Sequence, residues 1–391
     1  MPDFKLGDSL DGYDEDVVKM APPVVFHSQP DRYVVLKTPE QLRAWEQAVR
    51  QTTGLEIVAD NLAGVAALRR RVILTVSVRE DLHALAVQHA VRGRGRELHI
   101  VESDAIGGRR TLSWRSHRDG PAGSGRPATV LTSEGVEVAV EEADVLWWRR
   151  PRADQAVSAG AGSAHERSLV DNDCRGALGG ILAASFRGSW ISPADATDRA
   201  ADKVFQLAVA RDCGFRVPRT LISQSRAEVV DFVRETGRTI VKPVVGARGP
   251  SLWTRMLDDP GSIPAPSFEV CPAVYQEYIE GCRHIRLNSF GERMYAALIE
   301  TEDLDWRPDL EVPIRPWPVP AELRARVAEV LRRLGLPMGI VDLKLTPDDE
   351  PVWLEVNPQG QFLFLEPLTG EPLTEHFADF LLSSTAGGGP A

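Results

Sequence analysis

Apolar and polar residues alternate between two periods along this chain. The runs "RVILTVSV" (71–78), "ELHIVES" (97–103) and "DVLWWRRPR" (144–152) are apolar, of strand length, and end at turn formers or proline. Between the first two, "EDLHALAVQHAVRG" (80–93) has the helical period and stops at a glycine. Strand, helix and strand with short joints predict a parallel βαβ unit. Further helices are predicted from about Glu166 to Phe186, from Asp198 to Asp212, over 229–237, and over 322–335. In the last of these Leu323, Val327, Val330, Leu331 and Leu334 share one side. Strands are predicted at 273–281, 284–291 and 293–301, and 238–249 reads as a strand leading into a Gly-containing loop. Near the start, Tyr33–Lys37 reads as a short strand and Pro39–Arg50 as an amphipathic helix with Thr38 as its cap.

Two late strands break the pattern in an informative way. "MGIVDLKL" (338–345) and "PVWLEVN" (351–357) are apolar except for Asp342, Lys344, Glu355 and Asn357. The intervening Thr346–Glu350 is rich in turn formers, which predicts an antiparallel hairpin. With Pro347–Glu350 as the loop, residue 346 pairs with 351, 344 with 353, and 342 with 355. Asp342 and Glu355 then face each other, and residues 355 and 357 share a face because side chains alternate. Like charges directly opposite are destabilising. A divalent cation between them reverses that sign, and an all-oxygen set of this size suits Mg²⁺, which keeps waters and binds phosphates. Two other readings stay open on the hairpin alone: carboxylates reaching solvent, or one of the pair held protonated.

Composition narrows the function classes. The chain has 391 residues, enough for two or three domains, with 43% apolar and 26% charged residues, as in ordinary globular proteins. A net charge of −11 argues against a general binder of the nucleic-acid backbone. Arg92, Arg94 and Arg96 form one basic run, expected to be a solvated face. Cys174, Cys213, Cys271 and Cys282 show no metal-binding or disulfide spacing, which fits a reducing compartment. No apolar run reaches membrane-spanning length and the acidic N-terminus lacks an apolar signal core, so a cytoplasmic protein is expected.

Lys203, Lys242, "QEYIE" (276–280), Arg286, Asp342 and "EVNPQG" (355–360), in that order, resemble the ATP-grasp ligases. With "WWRRP", "SPADATDRAADK", "GFRVPRTLIS", "IRLNSFG", "DWR" and "VWLEVNPQGQFLFLE", the segment from about 72 to 383 is similar to the graspetide, or microviridin-type, ligases of ribosomal peptides. The resemblance implies an α/β chain with an ATP-grasp fold, two α+β sub-domains clamping a nucleotide, preceded by a parallel α/β pre-ATP-grasp domain. The implied divisions are an N-terminal extension of unknown role (1–70), the pre-ATP-grasp domain (71–195), the central sub-domain (196–275), the C-terminal metal and nucleotide sub-domain (276–385) and a disordered tail (386–391). It further implies ATP and Mg²⁺, with two ions, as cofactors, and a ribosomal precursor peptide with a leader as partner. A homodimer is one assembly open to such a chain.

By the same resemblance Lys203 and Lys242 clamp the phosphates, where paired amines offset the charge. Glu277 and Ile279 neighbour the adenine, Glu280 contacts the ribose, and Asp342, Glu355 and Asn357 hold the metal. Arg286 and Arg307 stabilise the charge of an acyl-phosphate or its tetrahedral adduct. The implied reaction joins a peptide side-chain carboxylate to a hydroxyl or amine, forming ω-ester or ω-amide rings. Rival readings are a ligase for free amino acids or small carboxylates, of the ribosomal-protein glutamate ligase or glutathione synthetase kind, and a nucleotide-binding scaffold without catalysis. The sequence departs from the family at His284, where an Asp is usual before "IR", and the ring is expected to face solvent. The loop after Lys242 has few glycines, and the first 70 residues match nothing in the family.

Overall fold

The computed structural model describes residues 24–29, 32–36, 72–108, 110–116, 128–151, 163–245, 254–307 and 311–384. The chain divides into two units, Met1–Arg71 and Val72–Ala391. In the first, strands β1 (Val24–Gln29) and β2 (Arg32–Leu36) form an antiparallel hairpin. The helix expected at Pro39–Arg50 and the tail from 386 lie outside the described residues.

The second unit opens with β3 (Val72–Ser77), the helix Leu82–Gly93 and β4 (Glu97–Glu102), and β3 and β4 pair in parallel as predicted. Asp81 starts the helix by accepting the His83 amide at 3.0 Å. A small antiparallel sheet of β5 (Leu112–Ser113), β6 (Thr129–Leu131) and β7 (Glu137–Ala139) follows. Then β8 (Ala143–Trp148) and β9 (Ser189–Ile191) complete a parallel sheet of order β4-β3-β8-β9, with the helix Ala164–Ser185 between them. The basic run is more than a solvated face. Arg94 binds Glu375 at 2.5 Å and Asp379 at 2.7 Å, joining the first helix to the last, Leu373–Ser384, and Arg92 meets Glu134 at 2.5 Å.

The helix expected from Asp198 to Asp212 is broken. Ala194–Ala200 ends, and a second helix, Lys203–Asp212, starts from Asp202, whose carboxylate accepts the Val204 and Phe205 amides. An aspartate in mid-pattern competes for backbone donors and here wins as a cap. Lys203 thereby becomes the first helical residue.

Strands β10 (Thr220–Ser223), β11 (Thr239–Pro243), β12 (Arg255–Met256) and β13 (Ala273–Glu277) form an antiparallel sheet in the order β10-β13-β11-β12. Strands β14 (Arg283–Phe290), β15 (Arg293–Glu300), β16 (Ile314–Trp317), β17 (Met338–Leu345) and β18 (Pro351–Asn357) form a second, in the order β16-β15-β14-β17-β18. The odd-numbered Ile285, Leu287, Val341 and Leu343 of this sheet pack in the same core as Leu323, Val327 and Val330 of the helix Ala321–Leu334. That helix stops at Gly335, whose φ of 73° suits glycine. The even-numbered face has two uses. Phe290, Met338 and Ile340 at one end share a core with Ile73, Trp147 and Phe377, while His284, Arg286, Asp342 and Lys344 lie at the other end. Among the described residues, no helix is long and apolar enough to cross a membrane.

Candidate active site

The polar end of that face floors a cavity of about 320 Å³. The cross-strand register sets Arg286 opposite Asp342 and Asp342 opposite Glu355, so positive, negative and negative groups stand in one row across three strands. The facing of Asp342 and Glu355 matches expectation, but the pairs around it do not. Lys344 pairs with Val352 and Leu345 with Pro351, one residue off the expected register, and a bulge between Leu343 and Asp342 restores it. Two residues of β18, Leu354 and Glu355, thus occupy one step of β17 and both line the cavity, while Trp353 is fully buried on Phe215. A regular strand would send Trp353 and Glu355 to the same side. The bulge re-aims one of them.

The opposite wall comes from the other sheet. Ile240 and Lys242 alternate along β11 and both line the cavity, so Ile240 and Leu354 offer it apolar surface. Lys203 lines it from the start of its helix and donates to the Pro243 carbonyl at 3.3 Å. Burial lowers the pKa of Lys242; Glu355 and Asp342 pull it up, and Lys203 and Arg307 push it down further. These five groups therefore share one electrostatic environment.

Arg286 binds both oxygens of Asp342 through Nη1, at 2.7 and 2.9 Å, and donates from Nη2 to the Gln361 carbonyl at 3.0 Å. Burial raises the Asp342 pKa, Arg286 opposes that, and the facing Glu355 raises it again; the net direction is upward. Arg286 thus outweighs the facing Glu355, and burial accounts for the upward direction. Arg307 lines the cavity from the loop after β15 and holds Asp305 at 2.7 Å (Nε) and 2.5 Å (Nη2).

Seven of the ten residues singled out in the sequence line this cavity: Lys203, Lys242, Glu277, Ile279, Arg307, Asp342 and Glu355. Three stand apart. Arg286 does not line it but touches two residues that do, Asp342 and the ring of Trp306. Asn357 is exposed, its Oδ1 accepting the Gln359 amide at 3.1 Å. Glu280 points outward to Arg238 at 2.7 Å. The Glu277 carboxylate is committed to Arg216 at 3.1 Å and to the Arg219 amide at 3.0 Å, whereas the Ile279 amide has no hydrogen-bond partner among the described residues. His284, expected in solvent, is 6% exposed and lines the cavity. Burial lowers its pKa to about 4, with Lys344 assisting and Asp305 opposing, so the ring is neutral at pH 7.

The loop after the carboxylates is gripped by the parallel-sheet domain. Arg149, from "WWRRP", is 1% exposed and donates through Nη1 to the carbonyls of Gln359 and Gly360, while its Nε faces Asp81 at 3.4 Å. Trp147 donates to the Gln359 side chain at 3.1 Å, and His83 Nε2 accepts the Phe362 and Leu363 amides at 3.0 and 3.2 Å. Gly360 is needed here, because a Cβ would lie 2.5 Å from Ile340. Sequence reading missed this clamp; two adjacent arginines after an apolar strand were its one signal.

His83 gives the clamp a pH dependence. Burial first, then Arg149 and Arg150, outweigh Asp81 and lower the ring from 6.5 to about 4. Between those values the unfolded ring binds a proton that the folded ring refuses. Stability is therefore complete above pH 6.5 and falls as pH drops toward 4, by about 3 kcal/mol for this ring. Urea midpoints measured across that range should show the fall, and His83→Gln, which keeps an acceptor, should reduce the slope. An unchanged slope in that variant removes His83 as its source.

A parallel sheet followed by two antiparallel sheets, with lysines on one wall of the cavity and carboxylates on the other, is the ATP-grasp ligase fold. Among solved structures, the macrocyclase MdnC of Microcystis aeruginosa MRC, bound with precursor peptide MdnA, superposes at TM-score 0.70 and 23% identity, over 80% of this chain and 99% of that one. A RiPP-associated ATP-grasp ligase of Chryseobacterium gregarium, in complex with ADP and a leader and core peptide, gives 0.69 and 21%, over 80% and 97%. The ATP-grasp ligase PsnB, complexed with a phosphomimetic variant of its minimal precursor, Mg and ADP, gives 0.67 and 23%, over 80% and 98%. No protein-family model and no curated protein matches the sequence.

Proposed function

We propose that this chain is an ATP-dependent ligase that closes rings in a ribosomal precursor peptide. The supporting observation is the pairing of Lys203 and Lys242 on one wall with Asp342 and Glu355 on the other, within a fold shared with peptide macrocyclases. The two amines bind nucleotide phosphates, and Ile279, with its unpartnered amide, meets the base edge beside Glu277. A peptide Asp or Glu carboxylate attacks the γ-phosphate, giving an acyl-phosphate and ADP. A Ser or Thr hydroxyl or a Lys amine of the same peptide then attacks the acyl carbon, loses its proton and expels phosphate, leaving an ω-ester or ω-amide. Arg286 and Arg307 stabilise the oxyanion charge. The precursor's leader is the partner segment, and a cytoplasmic location suits a chain with four free cysteines.

The carboxylates fit Mg²⁺. Among the described residues no cluster of three His, Cys, Asp or Glu side chains is placed to hold a metal. Two facing carboxylates with an amide nearby suit an ion that takes one or two protein carboxylates and completes its shell with waters and phosphates. Asp342 and Glu355 would hold it, with Asn357 after its side chain leaves Gln359. When bound, the metal neutralises phosphate charge. A precursor encoded beside the gene, incubated with ATP and Mg²⁺, should lose one water mass per bond and release one ADP per bond. ADP release with free amino acids and none with peptide would overturn the reading.

A further inference from the structure

Glu280, the ribose contact implied by the sequence resemblance, is turned out of the cavity and ion-paired with Arg238. The end of the cavity beside Tyr278 and Ile279 holds instead two nitrogen-bearing side chains, on buried residues, that make no hydrogen bond among the described residues. His284 and Lys344 face each other across β14 and β17, are 6% and 4% exposed, and both line the cavity. His284 Nε2 has no hydrogen-bond partner. The Lys344 ammonium lies 4.8 Å from the Tyr278 ring centroid and meets no hydrogen-bond acceptor among the described residues. A buried polar group left unpaired costs about 1–3 kcal/mol, and a charged one more. The His284 nitrogen bears that cost, the Lys344 ammonium on the adjacent strand has a ring face and no oxygen beside it, and together they call for a ligand that supplies hydrogen-bonding oxygens at this end of the cavity.

Position identifies that ligand group. The His284–Lys344 pair is two residues along the strands from the Arg286–Asp342 pair, a step of about 7 Å. In a nucleotide whose phosphates lie at the carboxylate end and whose base meets Ile279, the ribose occupies the space between. We infer that His284 and Lys344 bind the ribose hydroxyls of the nucleotide, taking the place of an outward-facing Glu280. A neutral imidazole nitrogen exchanges a hydrogen bond with one hydroxyl, and the ammonium donates to the other, so the cis-diol matches both. The inference rests on the reading of this cavity as a nucleotide site, and neither residue is a phosphate or metal ligand in that reading.

Calorimetric titration separates the two ideas. Wild-type protein, Lys344→Met and His284→Phe are each titrated with ADP, 2′,3′-dideoxy-ADP and pyrophosphate in Mg²⁺. The expected result is a roughly tenfold loss of ADP affinity in each variant, equal to about 1.4 kcal/mol. Pyrophosphate affinity stays unchanged, and wild-type protein binds the dideoxy nucleotide as weakly as the variants do. Wild-type affinity for ADP in Lys344→Met overturns the inference, as does an equal loss for pyrophosphate. If His284→Phe does not fold, Lys344→Met with the dideoxy comparison still decides. Wild-type protein that binds no ADP refutes the nucleotide site itself, a different outcome.

Discussion

Glu355→Gln should leave this protein almost inactive with its stability little changed. Without metal, Glu355 faces Asp342 across the ladder, and only one member of the pair has an arginine on its other side. Removing the second negative charge relieves a repulsion of about 0.2–1 kcal/mol with Asp342 and also removes the attraction of Glu355 for the buried Lys242 and for Arg307, so the urea midpoint in metal-free buffer should stay close to that of wild type. The same change removes a carboxylate from the proposed Mg²⁺ set, so ADP formation should fall by about 10²–10³-fold, and Mg²⁺-ADP, expected to raise the midpoint of wild type, should no longer do so. A large loss of turnover with little change in stability marks a residue kept for chemistry. Turnover within tenfold of wild type would falsify the assignment of Glu355.

The largest loss of stability is expected from Arg149→Met. Arg149 is buried against Asp81, which is 7% exposed, and holds the carbonyls of Gln359 and Gly360. Breaking a buried pair by removing one partner costs about 3–5 kcal/mol, because the remaining charge stays buried without compensation. Part of that should return in the double variant with Asp81→Asn, where neither charge remains. Activity should not return with it. The 359–361 segment would still lack its donors, and through Gln361 it supports Arg286. Guanidinium denaturation and ADP release, measured on the single and double variants, separate the two losses. If the double variant recovers full turnover, the clamp does not position the site.

Much of this architecture was readable before any coordinates. The parallel β3–helix–β4 unit and the helix ending at Gly335 follow from periodicity and turn chemistry, whereas the expected Asp342–Glu355 facing is reached through a bulge and not through the register the turn implied. The parts that were not readable depend on contacts distant in sequence. The bulge had one local clue, a large apolar Trp353 on the same parity as Glu355, and it became decisive only once Phe215 claimed the tryptophan. His284 was expected in solvent because a lone polar residue in a strand usually is; β15 and β17 flank it on both sides and the cavity lies over it. The helix break at Asp202 was visible as a cap residue but was outweighed by the apolar pattern running through it.

The irregular step in β18 also separates what lies on either side of it. Between Leu354 and the 346–350 turn, pairing is governed by the turn; beyond Leu354 it is governed by the two cores that hold Val356 on one face and Ile340 on the other. The extra residue acts as a slack joint between those two registers. Edits to the turn are therefore free to slide the Leu343–Leu345 pairs while the acidic row stays in line. Deleting Leu354 would close that joint into a regular ladder, with Trp353 still in the core and Glu355 still opposite Asp342, and any later slip at the turn would then reach the acidic row.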